Sequence, residues 1–247
     1  YWAPPPPASW LAELDQPAPT LRVGFSTYTP EGEKLHPECF AAVERTAEAL
    51  ERLGHAVMEA APPVPPDMTA DLQTLFRAGT AAQIDGLTTT LGRPPDAAEL
   101  EPFTRAMAEA GAEVTAAAYL GAVARMQSTA RGIAAWHDRH DVWLTPTLAA
   151  PPPPLGYIDT TSPDTDATLA TMAAFSPFTA IQNMTGQPAI SLPLHWSDDD
   201  LPVGVMATAA FGEEALLLRL AAQLETALPW QERRPPLDSG ASREVAS

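Results

Sequence analysis

Apolar and polar positions near the start of the chain follow the periods of a strand, a helix and a second strand. The short apolar run 21–25 is bounded by turn-forming residues, which predicts a buried strand. Apolar residues then recur at helical spacing over 38–53, and Gly54 supplies a left-handed stop. Residues 55–60 alternate as a strand does. This order predicts a parallel pair of strands joined by a right-handed crossover.

The regions on either side of this unit show no strand pattern. Residues 1–20 are rich in proline and should run extended over a surface. Between 67 and 140 the pattern is helical, with interruptions near Gly92 and Gly111. The last of these helices is predicted over about 113–139, and its small residues should allow close packing on another element.

The remainder of the chain alternates strands with helices. We predict a buried strand, a helix that Pro177 should kink or split, a hairpin of two strands and a final amphipathic helix. Their ranges are 142–145, 168–183, 189–192 with 203–207, and 213–228. Strands interleaved with helices favour an α/β fold built in layers. A polar tail, 231–247, is expected to be disordered.

The amino-acid composition argues against two kinds of partner, nucleic acids and membranes. The 247 residues are 45% hydrophobic and 18% charged, which is typical of a globular protein. Thirty-one acidic residues against 14 basic ones give a net charge of −17, and such a surface repels phosphate backbones, so nucleic acid is not an expected partner. No apolar run approaches the ~18 residues of a membrane span, so no membrane partner is expected either.

Few features of the sequence bear on the cellular compartment of the protein or on whether the chain is a fragment. Cys39 is the one cysteine and cannot form an internal disulfide. Without a signal-peptide pattern we expect a cytoplasmic protein. The chain begins at Tyr1 rather than at a methionine, which we interpret as a fragment or a processed product.

The sequence shows little evidence of a serine nucleophile with its base. A serine nucleophile needs an adjacent base, and the sequence has neither a G-x-S-x-G elbow nor a Ser-Ser pair. Its one lysine, Lys34, lies in a polar connection and should be a solvated surface residue. Ser191 and His195 share a strand face, but Pro193 lies between them and no orienting acid is evident.

Metal and phosphate sites are also not expected. His137 and His140 end a helix without the spacing or the glutamate of a zinc protease motif, and histidines there more often serve the helix dipole. The acidic run 198–200 is better explained as a solvated turn. No glycine-rich loop has phosphate-binding spacing.

Short motifs recur along the chain in an informative order. They are Tyr1-Trp-Ala-Pro-Pro, Leu21-Arg-Val-Gly24, Val142-Trp-Leu-Thr-Pro-Thr147, Asn183-Met-Thr-Gly-Gln-Pro-Ala-Ile-Ser-Leu-Pro193, Leu201-Pro-Val-Gly204, Phe211-Gly-Glu-Glu214 and Leu228-Pro-Trp230. Each is weak alone, but together the set resembles the C-terminal part of the amidase signature family. The resemblance covers roughly 1–230 and is poorest over 69–109.

The resemblance implies a fold and a chemistry. Family members form one α/β/α domain around a mixed sheet covered by helices, and 1–230 would be its C-terminal portion. They hydrolyse a carbon–nitrogen amide bond through a serine acyl-enzyme, using a Ser–cis-Ser–Lys triad and no metal or organic cofactor. No triad residue can be placed in this chain, so we assign no catalytic residue. Thr147, Asn183 and Thr185 are carried over as candidates for the substrate-pocket wall.

Two interpretations therefore stand. The chain is part of an amidase completed by an N-terminal half and acting on a small-molecule amide, or it is a non-catalytic fragment or binding module that retains the fold. A sheet cut within a domain should leave unpaired edges and uncovered apolar surface, which leaves a homo-oligomer open. Locally, Gly186 should have a positive φ, and Asn183 should hydrogen-bond to backbone beside it.

Overall fold

The computed structural model describes residues 4–65, 67–162 and 164–235. Within these residues five strands form one mixed sheet in the order β2-β1-β3-β5-β4. The strands are β1 (Arg22–Phe25), β2 (Ala56–Glu59), β3 (Val142–Pro146), β4 (Ala189–Trp196) and β5 (Pro202–Ala209). The predicted tail lies outside the described residues from 236 onward.

The sheet is parallel on one side and antiparallel on the other. β1 is parallel to both β2 and β3, whereas β5 is antiparallel to both β3 and β4. The predicted parallel pair and the predicted hairpin are therefore both confirmed. β4 extends beyond its predicted range to Trp196, with an irregularity in register between Leu192 and His195.

The described residues form eight helices. These are α1 (Trp10–Glu13), α2 (Pro37–Arg52), α3 (Met68–Leu91), α4 (Pro102–Ala112), α5 (Ala116–Trp136), α6 (Thr165–Phe175), α7 (Thr179–Thr185) and α8 (Glu214–Ala227). Interleaved strands and helices confirm the α/β fold class.

Local cap chemistry explains where the helices depart from prediction. The proline-rich N-terminal segment was expected to be extended, but α1 forms because the Ser9 side chain accepts a hydrogen bond from Ala12 N–H. α5 begins three residues later than predicted because Thr115 caps it in the same way. Pro177 splits the helix predicted over 168–183 into α6 and α7, as its missing N–H requires.

The core lies on both faces of β3. All five residues of β3 are buried, as expected for a central strand that is covered on each side. α2 packs on β3, β4 and β5, and α8 packs on β4 and β5. Trp143 packs edge-to-face on Phe178, which directly precedes α7, with ring centroids 6.3 Å apart. The sheet is thus covered by helices at its centre, and its two outer strands, β2 and β4, are the more exposed ones.

α3, α4 and α5 form a helical group beside the sheet. α3 and α4 lie so close that a Cβ built on Gly111 would be 1.9 Å from the Arg77 carbonyl oxygen. α3 and α5 are joined by Asp71, whose buried carboxylate accepts hydrogen bonds from the Arg125 guanidinium at 2.6–3.0 Å. These contacts fix the three helices around the cavity described next.

Candidate functional site

A cavity of about 530 Å³ lies between α3, α4, α6 and α7. Its walls are mainly apolar, with a few amide and hydroxyl groups among them, and its size is that of a small-molecule site. The apolar lining residues include Met68, Leu72, Phe76, Phe103, Met107 and Met172. The shape and chemistry suit the apolar part of a small ligand.

Polar side chains also line this cavity, although apolar groups contribute more of its wall. Asn183, a predicted pocket-wall residue, lines it from α7, and Gln73 and Gln83 line it from α3. Glu31 lies at the cavity as well, where its carboxylate accepts a hydrogen bond from the Thr69 hydroxyl. Primary amides both donate and accept, so they could orient an amide group of a ligand.

The hydrogen bond expected from Asn183 to backbone is not formed. Its side chain is exposed to the cavity and makes no hydrogen bond within the described residues. The reason is that Thr185 and Gln187 already satisfy the backbone and side-chain groups at this junction. Asn183 is therefore left available to a ligand rather than used as a cap.

The predicted left-handed residue after α7 is present. Gly186 has φ 71°, and its N–H donates to the Gln182 carbonyl oxygen at 2.9 Å. Glycine adopts this conformation without the steric cost that a Cβ would add. The turn reverses the chain between α7, which lines the cavity, and β4.

Thr185, a second candidate, lies in an internal hydrogen-bond network. Its Oγ1 is 3.0 Å from both the Ile181 carbonyl oxygen and Gln187 Oε1. The Gln187 amide nitrogen then donates to the Ala209 carbonyl oxygen at 3.1 Å and to His137 Nε2 at 2.7 Å. Thr185 thus helps fix the end of α7 and does not line the cavity.

His137 is buried at the end of this network and is neutral by geometry. Nδ1 lies 3.1 Å from the His140 carbonyl oxygen, which it can reach only as a donor, and Nε2 accepts from Gln187. Burial lowers the pKa of His137, which opposes the charged form. The expected favourable interaction with the helix dipole therefore does not apply to His137, because that role needs a cation.

Thr147, the third candidate, lies in a different groove. Its Oγ1 is 2.6 Å from Ser191 Oγ, and both residues line a depression of about 280 Å³ beside Gly204. Proline residues 151, 152, 193 and 202 form much of the rim. The structure therefore does not bring Thr147, Asn183 and Thr185 into one site.

The nucleophile candidates are also separated. Ser191 pairs with Thr147, whereas His195 Nε2 lies 2.7 Å from Glu38 Oε2 on α2. This contact with His195 lowers the pKa of Glu38. Lys34 is exposed, as expected of a surface lysine. The arrangement holds β4 to α2 and does not form a Ser–His–acid triad.

Other candidate groups have structural explanations. Residues 198–200 are exposed in the hairpin turn, as predicted. Over the described parts of the chain, no cluster of three or more His, Cys, Asp or Glu side chains could hold a metal ion. In the same residues, no helix has both the length and the apolar character needed to cross a membrane.

Sequence reasoning missed the residues that α3 and α4 contribute to the cavity. Apart from Met68, they fall in 69–109, the region in which the family resemblance is poorest. Amphipathic periodicity indicates which side of a helix is apolar, but it does not tell whether that side faces a core or a cavity. Gln187 belongs to one of the sequence motifs, but its partner His137 is 50 residues away, so no local pattern indicates this contact.

Comparison with known proteins gives a consistent result. The family model described as Amidase matches residues 2–218. The chain is 36% identical over 228 residues to the 6-aminohexanoate-cyclic-dimer hydrolase of Paenarthrobacter ureafaciens, a match that covers 88% of this chain and 46% of the hydrolase. It is also 36% identical over 222 residues to the putative amidase AmiC of Mycobacterium leprae, covering 89% and 47% of the two chains.

The fold agrees with these relatives. A solved structure of 6-aminohexanoate cyclic dimer hydrolase complexed with substrate superposes with a TM-score of 0.86 at 33% identity. The superposition covers 95% of this chain and 51% of that one. The chain spans about half the length of the curated relatives it matches. On sequence and on fold alike, it belongs to the Amidase family.

Proposed function

We propose that residues 1–230 are the C-terminal portion of a single amidase domain whose complete form hydrolyses a carbon–nitrogen amide bond of a small molecule. The observation that carries this proposal is the superposition of 95% of the chain on about half of an amide-bond hydrolase of the same family. Part of a domain is expected to align over nearly all of its own length and over only a fraction of the complete relative.

The groups that react come from the other half of the domain. A serine oxygen attacks the amide carbon, the C–N bond breaks, and the amine leaves with the proton that the serine gives up through its base. Water then hydrolyses the resulting ester and returns a proton to the serine. We assign no residue of this chain to that triad, and the proposed reaction uses no metal or organic cofactor.

This chain supplies the wall that binds the substrate. The cavity between α3, α4, α6 and α7 takes the apolar part of the amide, and Asn183 hydrogen-bonds to a polar group of it. The relative from Paenarthrobacter ureafaciens is named for a cyclic dimer of 6-aminohexanoate, an amide with apolar methylene segments. Small amides of this kind fit the mainly apolar lining.

A non-catalytic module that retains the fold is the alternative. It is favoured by the separation of Ser191 from His195 and by the exposed position of Lys34. The DNA sequence upstream of the codon for Tyr1 separates the two proposals. A lysine and a Gly-Ser-Ser-Gly-Gly-like loop encoded there would support the amidase, and their absence would support the module.

The activity test uses two proteins. The 247-residue chain alone should release no ammonia or amine from simple amides, because removing nucleophile and base leaves at most residual catalysis. A chimera in which this chain replaces the matched part of the Paenarthrobacter ureafaciens hydrolase should regain hydrolysis. Turnover by the chain alone, together with labelling of one of its serines by a fluorophosphonate, would contradict the proposal.

A matched pair of variants tests the cavity. In the chimera, Asn183→Ala should raise KM more than it lowers kcat, because it removes a contact that substrate and transition state share. Asp199→Ala, on the exposed hairpin turn, is the control and should change neither. An equal kinetic effect of both variants would remove Asn183 from the pocket wall.

A further inference from the structure

Glu31 is the one charged side chain that lines the cavity between α3, α4, α6 and α7 in the described part of the chain. The other lining residues are apolar or carry neutral amide and hydroxyl groups, and no lysine, arginine or histidine is among them. A single carboxylate on an otherwise uncharged wall gives the cavity a negative potential. The sign of that potential bears on which ligands the cavity accepts.

Hydrogen bonds fix the backbone of Glu31 in a tight turn between β1 and α2. Gly32 has φ 85°, and its N–H donates to the Thr29 carbonyl oxygen at 2.9 Å. Thr29 N–H donates to the Glu33 carbonyl oxygen at 2.9 Å, and Glu33 N–H donates to Thr29 Oγ1 at 3.0 Å. Although Glu31 is exposed, the turn holds it beside the cavity rather than on a loose loop.

The groups around Glu31 do not cancel its charge. The carboxylate accepts a hydrogen bond from the neutral Thr69 hydroxyl at 3.3 Å and forms no salt bridge within the described residues. Thr69 lies in the first turn of α3, whose start carries about half a positive charge. The exposed Asp67 precedes that turn with a full negative charge, while Asp71 is paired with Arg125. This end of the cavity is therefore negative on balance.

We propose that Glu31 makes the cavity selective for substrates whose apolar chain carries an ammonium group, and against those that carry a carboxylate in its place. This inference rests on the proposed function, because it takes the cavity as the substrate site. The ammonium donates to the Glu31 carboxylate, the chain packs on apolar side chains such as Phe76, and the amide reaches Asn183. A carboxylate would meet a like charge, with no cation on the described wall to compensate for it.

The size of the effect follows from the exposure of Glu31. An exposed ion pair changes an affinity by a factor of about two to five. Attraction of the cation and repulsion of the anion both enter the ratio of their affinities, so the ratio should be roughly four- to twentyfold. A neutral ligand of the same length should lie between them. Added salt should reduce the ratio, because it screens exposed charges.

Ligand binding to the 247-residue chain tests the proposal without any catalysis. Hexylamine, hexanamide and hexanoic acid share one apolar chain and are cationic, neutral and anionic at neutral pH. Each is titrated while the methionine methyl signals are followed by NMR. Met68, Met107 and Met172 line the cavity, whereas Met58 is exposed on β2 and reports non-specific association. Hexylamine should bind at the cavity at least about fourfold more tightly than hexanoate.

Two variants with the same change of charge show whether Glu31 is responsible. Glu31→Gln keeps an acceptor for the Thr69 hydroxyl and removes the charge, so the affinity ratio should fall at least about threefold. Glu33→Gln is the control, since Glu33 lies in the same turn but does not line the cavity, and it should leave the ratio nearly unchanged. Equal effects of both variants, equal binding of cation and anion, or no binding of any of the three ligands would overturn the proposal.

The outcomes separate this proposal from the amidase activity. In the chimera with the Paenarthrobacter ureafaciens hydrolase, kcat/KM should favour a primary amide with an ammonium at its far end over one with a carboxylate. An active chimera that ignores this charge, with or without Glu31→Gln, leaves the amidase assignment intact and rejects the role of Glu31. An inactive chimera, together with charge-selective binding that depends on Glu31, keeps the selective site and rejects the amidase.

Discussion

Gly111 is required by the distance between two helices and not by a turn. The sequence places it where a helix should end, but α4 continues through it to Ala112. The backbone of α3 approaches so closely there that any side chain would collide with the Arg77 carbonyl oxygen. A glycine within a helix usually costs stability, so its presence at this contact has a packing reason.

The first prediction concerns this contact. Gly111→Ala should lower the free energy of unfolding by about 1–3 kcal/mol, because the added methyl forces α3 and α4 apart. Gly79→Ala on α3 is the matched control, since nothing lies within 4 Å of its Cβ position. That change should stabilise by about 0.5–1 kcal/mol. Urea unfolding of both variants measures the difference, and equal effects would contradict the packing argument.

Burial should protect the thiol of Cys39 from chemical modification. The thiol is 1% exposed, and burial together with the Glu38 charge raises its pKa to about 11. Only the thiolate reacts with a disulfide reagent, so native protein at pH 8 should react slowly and unfolded protein at once. Timed labelling with and without urea measures this. Rapid, complete labelling of native protein would show that α2 does not bury the thiol.

Among the elements, α5, α7 and β5 are joined by hydrogen bonds of His137 and Gln187. His137 follows α5, Gln187 follows α7, and the Ala209 carbonyl that Gln187 reaches belongs to β5. These three elements are distant in sequence. The network therefore depends on one neutral imidazole that accepts a hydrogen bond at Nε2.

This coupling predicts a pH dependence of stability. Burial lowers the pKa of His137 below its ordinary value of 6.5, so the unfolded chain binds the proton more readily than the folded one. Its contribution is complete above pH 6.5 and is lost as the pH falls below that value. Protonated Nε2 would also meet the Gln187 N–H group as a second donor.

Urea unfolding from pH 7.5 to 5.5 measures this effect. His137→Asn should lower stability at pH 7.5 by about 1–3 kcal/mol, because it leaves buried groups without partners. The same variant should depend less on pH than the unchanged protein over this range. A variant with an unchanged pH dependence would assign the effect to another group.

For the molecule as a whole, the main feature is exposed apolar surface together with an outer strand that lacks a partner among the described residues. The large apolar residues Trp10, Leu11, Leu155, Tyr157 and Phe211 are at least 44% exposed, and the β4 edge has no partner in the described residues. Exposed apolar surface and free strand edges favour association. The 247-residue chain should therefore bind a hydrophobic dye and elute from size exclusion earlier than a compact monomer.

The same measurement on the chimera is the control. Covering the exposed surface should reduce dye fluorescence per molecule and give a later, sharper elution relative to its mass. A compact monomer of the chain alone that binds no dye would argue instead for an independent domain.

Most of the elements could be predicted from the amino-acid sequence, because their signals are local. Period-2 and helical apolar patterns, Gly54, Pro177 and Gly186 located the strands, helices and breaks of the α/β fold, with errors mainly at the ends. The ordered motifs also identified the family. α1 was not predicted, because the Ser9 cap that starts it is a short signal within a proline-rich segment.

Tertiary structure alone decided which candidate residues share a site. Thr147, Asn183 and Thr185 fit one pocket by their position in motifs, yet the fold places them in a groove, a cavity and an internal network. The cavity is built by helices from two distant stretches of the chain, 68–112 and 165–185, and no local pattern encodes how their apolar faces meet. Hydrophobic periodicity tells which face of an element is buried, whereas packing between distant elements decides what lies against it.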